Sequence, residues 1–399
     1  MKIVNQQLIR STNLKQIYTL IDKNISISRA RLAKLTQLSK TTVSSLVDEL
    51  IANGYVVDCG VSESLTQGRK PNILHVNSRQ NRVAVISWRR ARLDLALIDT
   101  DNTIIMRREL PLEEQEDAVE KIFAAFDDVL LPACKDARLL GVCIVVPGMV
   151  DAKNKSILST VIGVSAQDNV VQRLAEHFCN YSLSILNDTA CFAYAERMFA
   201  RITEPSFAYI NISKGVGACL FEEGRMLRGA GAMATQFGHY SIDRNGPSCA
   251  CGNRGCLERM VGESFLTERA SECGVTGIVL GGPRLLFSDI SQAARDGNEK
   301  ARELIRRLAE DMAYGLSNLI TMFNPALIVI GGTGVKLGEC FLSDIRTKLA
   351  KVGFQEFVSR VQLRYAHLGP DAELQGAAQY YIDFHHDFTA RQVQGLFLG

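Results

Sequence analysis

Hydrophobic residues recur at helical spacing in three stretches near the N-terminus. The first predicts a helix over residues 6–23. Ser28 can cap a second helix over Arg29–Thr36, and Ser39 can cap a third. The apolar stripe of the third helix ends just before Gly54, a residue suited to a C′ position. Its members are Val43, Leu46, Val47, Leu50 and Ile51.

Two short helices joined by a tight turn are typical of a helix-turn-helix. An ordinary helical hairpin with a polar face fits this spacing equally well. The predicted strands at residues 55–57 and 73–76 favour the DNA-binding interpretation, because they form a hairpin whose loop ends in Gly-Arg-Lys-Pro. The candidate DNA contacts are Lys40, Thr41, Thr42, Ser44 and Ser45 on the third helix and Arg69 and Lys70 in the wing.

Charge separates this N-terminal part from the rest of the chain. Residues 1–77 hold ten Lys or Arg and five Asp or Glu, a net of +5 within a total of +2, so the remainder is net negative. Ordinary scatter could give such a difference, but a basic module on an acidic body favours a polyanionic partner. One helix-turn-helix reads only a few base pairs, so we expect a homodimer or homotetramer on pseudo-palindromic double-stranded operator DNA.

The pattern after residue 80 predicts two similar α/β halves. Strands at 82–88, 92–99 and 103–110 precede a helix over 114–131 and a buried strand at 140–146. The same order returns with strands at 207–213, 216–221 and 226–227, a helix over 297–324 and a strand at 326–330. We expect two lobes with a ligand cleft between them, and a last helix over 372–394.

A histidine and three cysteines form the most specific chemical signal in the chain. His239 precedes Cys249, Cys251 and Cys256, and glycines at 252 and 255 allow their loop to fold back. One imidazole and three thiolates make a closed tetrahedral zinc set. Three buried cysteines and a core histidine are the alternative, although a polar, glycine-rich loop is a poor place for inert thiols.

The stretch from Gly238-His239 to Cys256-Leu257-Glu258 resembles the zinc signature of the ROK family of repressors and sugar kinases. The chain is most similar to the repressor branch, which includes xylose and N-acetylglucosamine repressors. The resemblance implies an N-terminal winged helix-turn-helix domain over 1–80. It also implies a two-lobed, actin-like (hexokinase-type) α/β ROK domain over 81–399, with the zinc loop near 239–258.

The resemblance also implies a sugar site made of five residues. They are Asn187, Asp188, Gln236, His239 and Glu258. Asp188 could also be the N-cap of the following helix, and both roles are compatible. Gln236 departs from the family, which has a glutamate there, and this puts the usual sugar preference in doubt. The turn Ser87-Trp88-Arg89-Arg90-Ala91 replaces the Asp-x-Gly-Gly-Thr of the kinases, so we expect no enzyme activity.

These features predict a sugar-responsive transcriptional regulator, most simply a repressor. A regulator controlled by a protein partner, with a vestigial sugar pocket, is the alternative, and an ATP-dependent sugar kinase is the weakest interpretation. Cysteines within apolar segments suit a reducing cytoplasm. The longest apolar runs are too short for a membrane span.

Overall fold

In a computed structural model of the chain, the N-terminal helices begin where the sequence places capping hydroxyls. Three helices come first: α1 (Gln6–Asp22), α2 (Arg29–Thr36) and α3 (Lys40–Ala52). Ser28 accepts a hydrogen bond from the N–H of Arg31, and Ser39 accepts one from the N–H of Thr42 at 3.0 Å. Both predicted caps are confirmed, and they place the short turn between α2 and α3.

The apolar stripe of α3 forms the core of this N-terminal module. Val43, Leu46, Val47 and Leu50 are buried, whereas Ile51 is only half-buried. After Gly54, at φ +76°, the chain continues into a hairpin. Its strands are antiparallel and are named β1 (Val56–Val61) and β2 (Asn72–Val76). A winged helix-turn-helix therefore precedes the larger part of the chain.

The structure describes residues 6–24, 26–61, 72–275, 278, 284–389 and 394–399. The wing residues Arg69 and Lys70 lie outside these ranges. The chain divides into a first unit, Met1–Cys191 with Glu373–Gly399, and a second unit, Phe192–Ala372. Over the described ranges, the longest apolar helical stretches fall short of what a membrane crossing needs. The domain boundary near residue 80 stays a prediction.

Alternating strands and helices build the first unit after the wing. The elements are β3 (Asn81–Arg89), β4 (Arg92–Asp99), β5 (Ile104–Pro111), α4 (Ala118–Ala125), a π-helical turn (Phe126–Leu130), α5 (Leu131–Ala133), β6 (Arg138–Val146), β7 (Met149–Asp151), β8 (Ser156–Leu158), α6 (Val170–His177), β9 (Ser182–Asn187) and α7 (Asp188–Phe199). The helix predicted from residue 114 begins at Ala118, because Asp117 caps it by accepting from the N–H of Val119 at 2.9 Å.

The second unit contains a five-stranded sheet and most of the remaining helices. Its elements are β10 (Phe207–Ile212), β11 (Val216–Glu222), β12 (Arg225–Met226), α8 (Leu257–Val261), α9 (Leu266–Glu272), α10 (Phe287–Arg295), α11 (Glu299–Phe323), β13 (Leu327–Gly331), α12 (Gly338–Leu349), α13 (Gln355–Val358) and β14 (Gln362–Tyr365). The sheet order is β12-β11-β10-β13-β14. The long helix α11 lies along the apolar core of this unit, as its predicted stripe requires.

The chain then returns to the first unit with α14 (Ala372–Phe384) and β15 (Gly395–Leu398). β15 adds in parallel to β9, which completes a six-stranded sheet of order β15-β9-β6-β3-β4-β5. The prediction of helix over 372–394 is wrong for residues 385–389, which are not helical, while residues 390–393 lie outside the described ranges. The N–H of His385 still makes the helical i to i−4 bond to the carbonyl of Tyr381, whereas the N–H of His386 bonds to the same carbonyl and so departs from the helical pattern.

Candidate functional site

The turn after β3 is the first part of the candidate site, and it contains a buried network of charges. Ser87 Oγ donates to Glu373 Oε1 at 2.6 Å, and the guanidinium of Arg89 donates to Glu373 Oε2. Arg89 Nε also donates to Asp94 Oδ2 at 3.1 Å. Glu373 is 1% exposed and Asp94 is 3% exposed, so both carboxylates are out of bulk water. The arginine therefore compensates two buried negative charges.

Burial and the neighbouring charges shift the pKa values of the groups in this network. Burial opposes the charge of Arg89, but the carboxylates of Glu373, Asp188 and Asp94 outweigh it, so the pKa of Arg89 is raised. Burial raises the pKa of Glu373 to about 7, with Arg89 acting in the opposite direction. Burial also raises the pKa of Asp188, and Arg89 again opposes the change. Arg89 is thus the cation that favours ionised carboxylates at this turn.

Asn187 and Asp188 lie where β9 passes into α7. Asn187 Nδ2 donates to the carbonyl of Gly148 at 2.7 Å, and Asn187 Oδ1 accepts from the N–H of Ala190 at 2.9 Å. Asn187, not Asp188, is therefore the residue that caps α7 in the usual i to i+3 manner. The carboxylate of Asp188 accepts from the N–H of Thr189 at 2.6 Å, and the side chain is half-buried.

The second unit brings together the four metal-ligand candidates. The donor atoms of His239, Cys249, Cys251 and Cys256 all lie within 4.8 Å of one another. His239 Nδ1 is 3.6 Å from the sulfur of Cys249, and the sulfurs of Cys251 and Cys256 are 3.6 Å apart. Sulfurs about 2.3 Å from a tetrahedral zinc lie about 3.8 Å apart, so this set could hold a metal ion. Each of the 11 cysteines of the chain is a free thiol.

Glu258 lies in the first turn of α8, directly after the cysteine loop. Its Oε2 accepts from the N–H of Val216 at 3.2 Å. A Cβ on Gly215 would come within 2.2 Å of the same oxygen, so only glycine at 215 permits this approach. The position of Glu258 therefore requires glycine at 215. Gln236 is exposed and precedes a 3-10 turn over Phe237–His239.

Helix α3, the candidate recognition helix for DNA, presents most of its predicted polar residues to solvent. Lys40, Thr41, Thr42 and Ser45 are exposed, while Ser44 is half-buried. The hydroxyl of Thr42 also shares a hydrogen bond with Ser39 Oγ at 2.8 Å, as part of the helix cap. The carbonyl of Ser44 accepts from Arg29 Nη1 at 3.1 Å, which ties α3 to α2.

Sequence reasoning missed Glu373, the partner of the Ser87–Arg89 turn. It lies 284 residues after Arg89, and no local pattern connects the two. Arg89 was the one signal in the sequence that pointed to such a partner. A cation at the end of a buried strand requires a carboxylate somewhere in the fold.

A winged DNA-binding module in front of an α/β domain with a Cys/His loop defines a class of transcriptional regulators. The model of the ROK family matches residues 87–383, and a winged helix-turn-helix DNA-binding model matches residues 10–57. The chain belongs to the ROK family.

Several relatives extend over nearly the whole chain. The putative xylose repressor of Caldicellulosiruptor sp. (strain Rt8B.4) is 30% identical, covering 95% of this chain and 97% of that protein. The xylose repressor of Bacillus subtilis (strain 168) is 26% identical, covering 96% and 98%.

A solved structure of a ROK family transcriptional regulator, homologous to the Escherichia coli MLC protein, has the same fold. It has a TM-score of 0.81 at 23% identity, covering 94% of this chain and 96% of that one. These relatives are named as repressors or regulators, and this chain is a regulator rather than an enzyme.

Proposed function

We propose that this protein is a repressor that releases or binds operator DNA in response to a sugar. The observation that carries the proposal is the presence of both matched parts, the winged helix-turn-helix and the ROK domain, in one chain. The charged turn at Arg89 supports regulation over phosphoryl transfer, because arginine side chains stand where the kinases of the family place glycine. The names of the relatives make a pentose or hexose the first class to test.

In this proposal α3 enters the major groove of the operator. Lys40 reaches phosphate or guanine, and the hydroxyls of Thr41, Thr42, Ser44 and Ser45 reach base edges or phosphates. Arg69 and Lys70 in the wing add contacts to phosphates or the minor groove. A homodimer places two such helices on the two halves of a pseudo-palindrome.

The DNA-binding part of the proposal is tested with a duplex that the purified protein selects from a random library. Lys40→Ala is expected to weaken binding and, if Lys40 contacts a phosphate, to reduce the slope of log affinity against log salt by about one. Lys300→Ala, which removes an exposed lysine in the second unit, is the matched control. Parental affinity and slope in Lys40→Ala would remove this residue from the interface.

We propose zinc as the metal of the Cys/His set, since three thiolates and one imidazole are the donors of structural zinc sites. His239 Nδ1 faces the sulfur of Cys249, so Nδ1 would bind the metal and Nε2 would face a sugar hydroxyl. Zinc content is expected to fall from about one per chain to well below half in Cys251→Ser. Cys179→Ser, at another exposed cysteine, should keep the parental content when both are measured by elemental analysis.

Five residues would bind the sugar. Asp188 and Glu258 supply carboxylates that accept from hydroxyls, Asn187 and Gln236 supply amides, and His239 supplies its second nitrogen. Thermal unfolding and calorimetry with D-xylose, D-glucose and N-acetyl-D-glucosamine test this set. Stabilisation by one of them supports the proposal. No stabilisation by any sugar would instead favour control by a protein partner.

A further inference from the structure

The C-terminal end of the recognition helix is bound to the body of the first unit. Arg138 Nη1, at the start of β6, donates to the carbonyl of Asn53 at 2.8 Å. Asn53 Nδ2 donates to the carbonyl of Phe388 at 3.4 Å, and Asn81 Nδ2 donates to the carbonyl of Gly54 at 2.9 Å. A cation and donors at the free carbonyls of a helix end are favourable, so this end of α3 is held in place.

An aromatic cluster surrounds these hydrogen bonds. The ring of Tyr55 lies 4.3 Å from the guanidinium of Arg138 and 5.0 Å from the ring of Phe388, measured to the ring centroid of Tyr55. Phe388 also lies 4.3 Å from Tyr18 of α1. The Tyr55 hydroxyl shares a 2.9 Å hydrogen bond with Nε2 of His386. We call Arg138, His386 and Phe388 the anchor.

Two of the three anchor residues are buried, Arg138 is half-buried, and their polar atoms are paired. His386 and Phe388 are 5% and 2% exposed. His386 Nδ1 is 3.4 Å from the hydroxyl of Tyr381, which in turn donates to the carbonyl of Leu140 at 2.7 Å. Burial lowers the pKa of His386 to about 3, so the imidazole is neutral and can both donate and accept. Such a fully paired, buried contact fixes one relative placement of the groups it joins.

The other end of α14 reaches the charged turn. Glu373 lies in the first turn of this helix and is the residue that Ser87 and Arg89 bind. The helix ends at Phe384, a rise of about 17 Å from Glu373, beside the anchor. There His385 Nδ1 shares a 2.7 Å hydrogen bond with Ser184 Oγ on β9, the strand that leads to Asn187.

We propose that α14 and the anchor transmit sugar occupancy from the Ser87–Arg89 turn to the recognition helix. The inference rests on the proposed function and adds the residues that couple its two parts. Sugar binding changes the contacts of Arg89 or Asp188 and thereby the hydrogen bonds that Glu373 accepts. The resulting displacement of α14 moves the residues that contact the end of α3. Allosteric coupling changes affinity typically about 5–150-fold, so the required displacement energy is modest.

The test compares operator affinity with and without sugar in the full chain. Phe388→Ala opens the anchor while leaving the proposed DNA and sugar contacts intact. We expect parental sugar affinity by calorimetry and sugar-free operator affinity within about threefold of the parent. The ratio of operator affinities with and without sugar should fall from at least about fivefold to near one. Phe354→Ala removes a ring that is 60% exposed in the second unit, and it should keep the parental ratio.

Tyr55→Phe distinguishes a loss of coupling from unfolding of the winged module. It keeps the ring and removes only the hydroxyl bonded to His386, and it should lower the ratio without lowering the melting temperature by more than a few degrees. Phe388→Leu, which restores apolar volume, should recover part of the ratio. A parental ratio in both Phe388→Ala and Tyr55→Phe would overturn the inference.

A double-mutant cycle separates this inference from the proposed function. Glu373→Gln is expected to change sugar-free operator affinity at least about twofold in the parent and to have no effect in the Phe388→Ala background. If no sugar of the panel binds the parent, the proposed ligand class fails, while a non-additive cycle still supports the connection. Additive effects of the two substitutions would contradict the connection whether or not a sugar binds.

Discussion

Gln236 is the residue most expected to set the sugar preference. A glutamate there would accept hydroxyl hydrogen bonds with a full charge, whereas glutamine offers one neutral acceptor and one donor. Hydrogen bonds to charged groups contribute about 1–1.5 kcal/mol more than neutral ones. Gln236→Glu should therefore tighten binding of D-xylose or D-glucose about tenfold, as measured by calorimetry.

Gln115→Glu is the matched control for charge, because Gln115 is also exposed but lies in the first unit outside the proposed site. It should leave sugar affinity unchanged. Tight binding of D-glucose by the parent, with no gain in Gln236→Glu, would show that position 236 does not contact the sugar.

Asp99 makes folding stability depend on pH. Burial and the neighbouring Asp101 raise the pKa of Asp99 to about 7, above its ordinary value of 3.8. The folded state then binds a proton that the unfolded state releases, so the free energy of unfolding should fall as pH rises from about 4 to about 7. Each pKa unit corresponds to about 1.4 kcal/mol, which makes the expected loss a few kcal/mol.

Asp99→Asn should flatten this part of the stability profile, followed by urea unfolding across the same pH range. Asp101 acts in a different window, because its pKa is lowered to about 2 and its contribution is lost only as pH falls below about 4. Asp128→Asn, an exposed change in the same unit, should keep the parental profile. A profile unchanged by Asp99→Asn would place the titration elsewhere.

The sequence predicts single residues best when their partners are close in the chain. Ser28, Ser39 and Gly54 follow local capping rules, and all three behave as predicted. The four Cys/His donors lie within 18 residues and converge as expected. Glu373 and His386 could not be predicted in this way, because each meets a partner hundreds of residues away.

Among whole elements, α14 depends on one glycine beneath it. A Cβ on Gly141 of β6 would come within 2.4 Å of the Tyr381 ring, so the helix can approach the sheet only over a glycine. Gly141→Ala should push Tyr381 away and lower the free energy of unfolding by about 1–3 kcal/mol.

Gly369→Ala is the control, because no atom lies within 4 Å of a Cβ at that position. Urea unfolding should show little change for this variant. An equal loss in both variants would mean that the contact between Tyr381 and Gly141 does not limit the packing of α14.

Hydrophobic periodicity predicted several of the helices and strands but not every one. α3, β3 and the long α11 have strong apolar patterns, and each was predicted within a few residues. α9, α10 and α12 were not predicted. β15 is four residues long, and its assignment depends on pairing with β9, about 210 residues earlier, which no local pattern reports.

For the whole molecule, the two units should respond to different perturbations. The four metal-ligand candidates all lie in the second unit, and Gly141 lies in the first. Removing the proposed zinc with a chelator should lower the melting temperature of the second unit by at least about 5 °C. Each kcal/mol of unfolding free energy lost lowers the melting temperature by about 2–4 °C.

Differential scanning calorimetry can separate these effects. Chelation is expected to move one transition, and Gly141→Ala is expected to move the other. A single transition that shifts equally under both treatments would show that the units unfold as one, and the assignment of the metal effect to residues 192–372 would fail.

The return of the chain to its first unit has a consequence for biosynthesis. β9 lacks its edge partner, and α3 lacks Phe388, until residues 373–399 have left the ribosome, after the whole second unit has been made. The winged module of a nascent chain can therefore make its contacts with Asn81 and Arg138 long before it can meet Phe388. A ribosome paused before residue 373 carries α3 without the contact through which, in our proposal, sugar binding reaches it.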